Sequence, residues 1–196
     1  VEERSRRLDG ILASVSIGDI VVFQTPTWNG LEFEREFLTK LKILNVKIII
    51  FVHDVIPLMF KANEFLMQDY INLYSMADSI ILPSEAMKEK LLQNGLNVKK
   101  IIFQRMWDHP HDLDLHEPIF KKEIYFAGNL SRFPELKTWE GTVPLTVFSN
   151  EEQLSLSNQV HIVGWKTDEE MLLKLSIGVF GLVWTTHQNE EQNIDY

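Results

Sequence analysis

The stretch Lys122 to Phe133, KEIYFAGNLSRF, carries a short apolar strand into a turn made of Gly128, Asn129, Leu130, Ser131 and Arg132. Glycine lets the backbone approach a ligand closely, and a guanidinium at the mouth of a parallel sheet can grip two phosphate oxygens at once. At the carboxyl end of the first strand of an α/β half, this suits a nucleotide or nucleotide-sugar ligand. A plain strand-to-helix turn with a solvated arginine carries the same letters, so Gly128, Asn129 and Arg132 are candidates on two open readings. Val160 to Asp168, VHIVGWKTD, is a second place. Trp165 there could wall a base-binding slot or pack into a core. His53 and Asp54 close the most apolar strand and are followed by Pro57. Such a pair could orient an acceptor hydroxyl or take its proton, and could equally satisfy loop backbone groups. His109, His111, Asp112, Asp114 and His116 lack the fixed spacing of a metal site and sit among prolines, so no bound metal is expected.

The elements that must position these groups follow from an ordinary globular composition: 196 residues, 45% hydrophobic, 24% charged and without cysteine. Disulfides, thiolate chemistry and cysteine-rich zinc sites are thereby excluded. The net charge of -9 argues against a nucleic-acid or anionic-membrane surface. Neither a signal peptide nor a run of about 18 apolar residues is present, which makes a membrane span unexpected and the cytoplasm the expected compartment. No Walker loop, GxGxxG, GxSxG or HExxH occurs.

Leu8, Ile11, Leu12 and Val15 share a helical face, and Gly18 closes that helix. Apolar strands are expected at Ile20 to Phe23, Val46 to Val52, Ser79 to Leu82 and Ile101 to Phe103, with helices between them, the last capped by Ser84. Because these strands are nearly all apolar, they read as buried on both faces, in a doubly wound parallel sheet. Residues 106–121 break the rhythm as an interdomain crossing. It resumes with strands at Ile124 to Phe126, Leu145 to Phe148, Val160 to Val163 and Val179 to Trp184, and a capping box at Thr167 and Glu170. The fold class is therefore α/β, with two tandem Rossmann-like domains. The opening Val1, already inside a helix, and the uncovered apolar segment near the end read as an internal piece of a longer protein.

RLDGI at Arg7, GDIVVFQTPTWN at Gly18, KIIIFVHDVIPLMF at Lys47, QRMWDHP at Gln104, FAGNLSRF at Phe126 and GVFGLVW at Gly178 run the length of the chain. With them the sequence resembles the glucosyltransferase family that elaborates glycans of serine-rich-repeat adhesins in streptococci and related Firmicutes, also described as nucleotide-sugar-synthetase-like or galactofuranosyltransferase-like. The resemblance implies a GT-B fold truncated at both ends. It divides the chain into an acceptor-side domain over 1–105 that lacks its first strand, a linker over 106–121, and an incomplete donor-binding domain over 122–196. It further implies a hexosyltransferase using a UDP-sugar, UDP-glucose by expectation, without cofactor or required metal. The acceptor would be a serine- or threonine-rich protein bearing N-acetylglucosamine, and homo-oligomerisation is left open. Arg132 matches the family's UDP-contacting arginine, and Trp165 stands where the family has an aromatic in the base-binding loop. The family has further contacts before and after the matched stretch, so this chain alone is expected to be inactive. A sugar-nucleotide epimerase or mutase, or a non-catalytic partner of another glycosyltransferase, are the alternatives.

Overall fold

The computed structural model describes residues 2–105, 110–115, 117–151, 154–155 and 159–184. They separate into two compact units, one over 2–105 and one over 110–184.

In the first unit, β1 (Ile20–Thr25), β2 (Lys47–Val52), β3 (Ser79–Leu82) and β4 (Ile101–Phe103) form a parallel sheet in the order β1-β2-β3-β4. Right-handed crossovers that always step the same way place their helices on one face of the sheet. Those helices are α2 (Leu31–Ile43), the short α3 (Ile56–Met59) with a 3₁₀ turn (Lys61–Leu66) and α4 (Met67–Tyr74), and α5 (Glu85–Gln93). Phe23, Ile48, Ile50, Val52, Ile80 and Leu82 are buried on the sheet, with Leu38, Leu41, Leu73, Met87 and Leu91 from the helices. α1 (Glu2–Leu12) adds Leu8 and Leu12 to this core and is tied to α2 by the Arg4–Glu36 and Lys40–Asp9 ion pairs. Ser84 caps α5 by accepting from the Met87 N–H at 3.1 Å, and Gly95 follows the helix at φ 94°.

Among the described strands the order of this sheet does not reverse, which leaves the doubly wound reading untested over the stretch described. Among the described residues, Ile20 and Val22 on the edge strand β1 are 63% and 54% exposed, while β2 and β3 bury Ile48, Ile50, Val52, Ile80 and Leu82.

In the second unit, β5 (Ile124–Ala127), β6 (Leu145–Phe148), the two-residue β7 (Leu154–Ser155), β8 (Val160–Ile162) and β9 (Phe180–Gly181) take the order β7-β8-β6-β5-β9. Only the β7–β8 pairing is antiparallel. The chain moves from β5 outward through β6 to β8 and returns, after α6 (Asp168–Leu175), to the opposite side of β5. Its core holds Phe126, Leu130, Leu136, Leu145, Val147 and Ile162. Trp139 and Trp184 pack edge to face, their centroids 6.1 Å apart; the first donates to the Val143 carbonyl and the second to Glu135. Residues 117–121 lie on this unit: the Lys121 N–H donates to the Gly178 carbonyl at 2.7 Å and Phe120 packs edge-on against Phe180. His109 and His116 fall outside the described residues. Among the described residues no three histidine or carboxylate side chains gather as a metal site.

Candidate functional site

The strand order of the second unit reverses at β5, and in open α/β sheets the crevice beyond the carboxyl ends of the strands at such a reversal is where ligands bind. The turn Gly128 to Arg132 leaves β5 at that point. Gly128 extends the ladder by one bond, its N–H donating to the Phe148 carbonyl at 3.0 Å. A Cβ on Gly128 would lie 2.8 Å from the ring of Phe126, which is buried, so glycine is required here by sterics and not by a left-handed backbone. The Asn129 carboxamide oxygen accepts from the Ser131 N–H at 2.9 Å and from the Ser131 hydroxyl at 2.7 Å, an Asx turn that fixes the loop. Leu130 is fully buried and its N–H donates to the fully buried Ser149 hydroxyl at the end of β6. Arg132 is exposed, as are Asn129 and Ser131. Its guanidinium carbon stands 6.0 Å from the centre of the Phe133 ring, and among the described residues it has no carboxylate or hydrogen-bond partner.

Trp165 lies on the loop after β8, behind Gly164 at φ 77°, and is 72% exposed. The loop ends in a capping box: Glu170 N–H donates to the Thr167 hydroxyl at 3.3 Å, and Thr167 N–H donates to the Glu170 carboxylate at 3.0 Å. That backbone hydrogen bond is the main reason the Glu170 carboxyl is held below its usual range. Since β8 and β5 are separated by β6 alone, the two loops leave the same sheet edge about two strand spacings, roughly 10 Å, apart. Arg132 and Trp165 thus share an edge without sharing a contact.

His53 and Asp54 belong to the first unit, at the end of β2. The His53 N–H donates to the Thr25 carbonyl at 2.9 Å, and its Nε2 meets the Gln24 carboxamide oxygen at 2.9 Å. Which partner donates in that contact depends on the imidazole tautomer. Asp54 is half-buried, and among the described residues its carboxylate makes no hydrogen bond or ion pair.

Two groups escaped the sequence reading. Ser149 anchors the β5 turn from a neighbouring strand, and nothing in its local sequence marks it. Glu34 is 1% exposed; it accepts from the Thr25 hydroxyl at 3.0 Å and from the Thr27 N–H at 2.6 Å, clamping the loop that leaves β1. Its signal was present, since Glu34 stands at i, i+4, i+7 with the fully buried Leu38 and Leu41. The Tyr74 phenol beside it is buried and closes no hydrogen bond of normal geometry. Burial first, and then the Glu34 charge, push its pKa well above 10; the same two causes push Tyr70 up to about 12.

Parallel sheets with helical crossovers, and a turn at a strand-order reversal, define an α/β protein, an arrangement compatible with a Rossmann-like fold. The chain belongs to the Glucosyltransferase 3-like family: the N-terminal domain of that family matches residues 1–106 and its C-terminal domain matches residues 124–196. Glucosyltransferase 3 of Streptococcus gordonii is 52% identical over 194 residues, covering 99% of this chain and 58% of that protein. Glucosyltransferase 3 of Streptococcus parasanguinis is 43% identical over 189 residues, covering 96% of this chain and 57% of its own length. The chain therefore spans somewhat more than half the length of these relatives.

Proposed function

We propose that the chain is part of a GT-B glycosyltransferase that moves a hexose, glucose in our reading, from a UDP-sugar to a cytoplasmic protein bearing N-acetylglucosamine on serine or threonine. The observation that carries this reading is Arg132, without a carboxylate partner among the described residues, on a hydrogen-bonded turn at the reversal point of the sheet, in a chain related to proteins named Glucosyltransferase 3. In this reading the second unit binds the donor. The Arg132 guanidinium takes the diphosphate and Trp165 stacks on the base, with Gly128 and Asn129 shaping the turn. The first unit holds the acceptor at the ends of β1 and β2. The acceptor hydroxyl oxygen attacks the anomeric carbon, the bond from that carbon to the diphosphate oxygen breaks, and UDP departs with the electron pair. Asp54 or His53 receives the hydroxyl proton. The negative charge growing on the diphosphate is met by Arg132 and backbone amides, so no bound metal is invoked.

The test is calorimetric titration of UDP into the full-length protein and its Arg132→Ala variant, with thermal unfolding as control. Loss of one charge-assisted phosphate contact is worth about 1.5 to 3 kcal/mol, so affinity should fall roughly ten- to a hundredfold at unchanged stability. Arg132→Lys should recover only part, because an ammonium keeps the charge and loses the two-pronged fit. Unchanged UDP affinity in a well-folded Arg132→Ala protein would remove the donor site from this turn.

A further inference from the structure

Leu145, Val147 and Ser149 stand at every second position along β6 and just past its end, so their side chains fall on one side of the second sheet. The first two are fully buried in the apolar core with Leu130 and Leu136. Alternation calls for a third apolar residue there. A serine stands in its place, equally buried, and a buried hydroxyl destabilises the fold unless it is hydrogen-bonded. Its oxygen accepts from the Leu130 N–H at 3.2 Å, and its hydroxyl donates to the Asn150 carboxamide oxygen at 3.1 Å. Apolar packing gives way here to a hydrogen bond that the turn after β5 uses.

Most hydrogen bonds of that turn are internal. Asn129 accepts from Ser131, the Arg132 N–H donates to the Asn129 carbonyl and the Phe133 N–H to the Leu130 carbonyl, which fixes the shape of the turn but not its direction. Among the described residues, two hydrogen bonds tie it to the neighbouring chain at the end of β6. One is the Gly128 N–H on the Phe148 carbonyl, which continues the ladder; the other is the Leu130 N–H on Ser149. A turn held at Gly128 alone can pivot about that point. The buried Leu130 side chain adds attraction without direction, whereas the bond to Ser149 is directional. It lies two residues before Arg132, whose two-pronged grip on a phosphate depends on where its backbone stands. We infer that Ser149 is a positioning residue: fully buried and out of reach of any ligand, it acts through Leu130 to set the direction from which Arg132 reaches the donor diphosphate. The inference rests on the donor reading of this turn given above.

The experiment is a double-mutant cycle on the full-length protein, with UDP and uridine titrated by calorimetry into the wild type, Ser149→Ala, Arg132→Ala and the double variant. Ser149→Ala should lower UDP affinity about three- to tenfold and uridine affinity by less than about twofold, since uridine has no diphosphate to align. In the Arg132→Ala background the same substitution should change UDP affinity by less than about twofold, because the group it positions is gone. A serine with a purely structural role would lower UDP and uridine affinity alike, or act equally in both backgrounds, and either result overturns the inference. Hydrogen exchange of the unliganded protein tests the link itself: the Leu130 amide should exchange about tenfold faster in Ser149→Ala, with the amides of β8 unchanged, and an unchanged Leu130 rate also overturns it. Should Ser149→Ala fail to fold, Ser149→Cys, close in size and a weaker acceptor, is judged by the same criteria. UDP affinity that falls in Arg132→Ala and holds in Ser149→Ala removes the role of Ser149 and leaves the donor site standing. UDP affinity unmoved by Arg132→Ala removes the donor turn, and the role of Ser149 with it.

Discussion

Glu34 shows how much of the first unit hangs on one carboxylate. It satisfies a buried hydroxyl and a backbone N–H that would otherwise lose their partners. Glu34→Ala should therefore cost about 2 to 4 kcal/mol, read as a lowered unfolding midpoint, whereas Glu34→Gln keeps one acceptor and should cost less. The phenol next to it behaves in the opposite sense. Because the Tyr74 hydroxyl is buried without a closed hydrogen bond, Tyr74→Phe removes an unsatisfied group and should be neutral or mildly stabilising. The two tyrosines also set an alkaline limit. Their pKa values rise in the fold, so the folded state holds its protons where the unfolded chain has lost them. Stability is then intact below about pH 10 and falls as pH climbs towards 12. Denaturant unfolding across that range should show the decline, and Tyr74→Phe should flatten it. None of this was legible from composition. Glu34 reads as one more acid on a charged helix until its register with Leu38 and Leu41 is counted, while Arg132, Trp165, His53 and Asp54 could be singled out as candidates because strand ends advertise themselves in sequence.

At the level of elements, apolar runs and caps were readable where local chemistry decides the outcome. The Ser84 cap and the Thr167–Glu170 box are local, and both stand as the residues suggested. Thr167→Ala should cost about 0.5 to 2 kcal/mol, seen as faster hydrogen exchange in the first turn of α6, with Trp165 left on a looser loop. The turn after β5 makes a harder demand. Gly128→Ala places a methyl against the Phe126 ring, so the ring or the turn must move. The expected outcome is weakened UDP binding together with a lowered midpoint, in contrast to Arg132→Ala, where the midpoint holds. What the sequence could not disclose was sheet order. Strand order is decided by which neighbours pair at long range, and apolar runs carry no record of it. That is why the reversal at β5, where the candidate donor turn sits, went unseen. The short α3 and the 3₁₀ turn after β2 were likewise hidden, since the helical spacing starting at Leu66 gives no hint of the tighter turns ahead of it.

For the whole molecule, the two sheets are separate, so ligands assigned to different units should leave separate footprints. In hydrogen exchange of the full-length protein, UDP should protect 126–133 and 163–168, and an N-acetylglucosaminyl peptide should protect 25–30 and 53–54. UDP protection confined to the first unit would reverse the assignment of donor and acceptor sides. A chelator-washed preparation is expected to hold no stoichiometric zinc, since the histidines between the units lack ligand spacing. A polypeptide ending at Arg105 retains all four strands of the first sheet and should keep their exchange protection. The Trp139–Trp184 pair adds an optical handle. Two indoles held 6.1 Å apart at 76° couple their transitions, and the chirality of that coupling belongs in the near-ultraviolet circular dichroism, which vanishes when fixed packing is lost. One partner lies just past β9 and the other in the β5–β6 connection, so this couplet forms only once the last described strand has docked. The second unit therefore carries its own spectroscopic signal of closure.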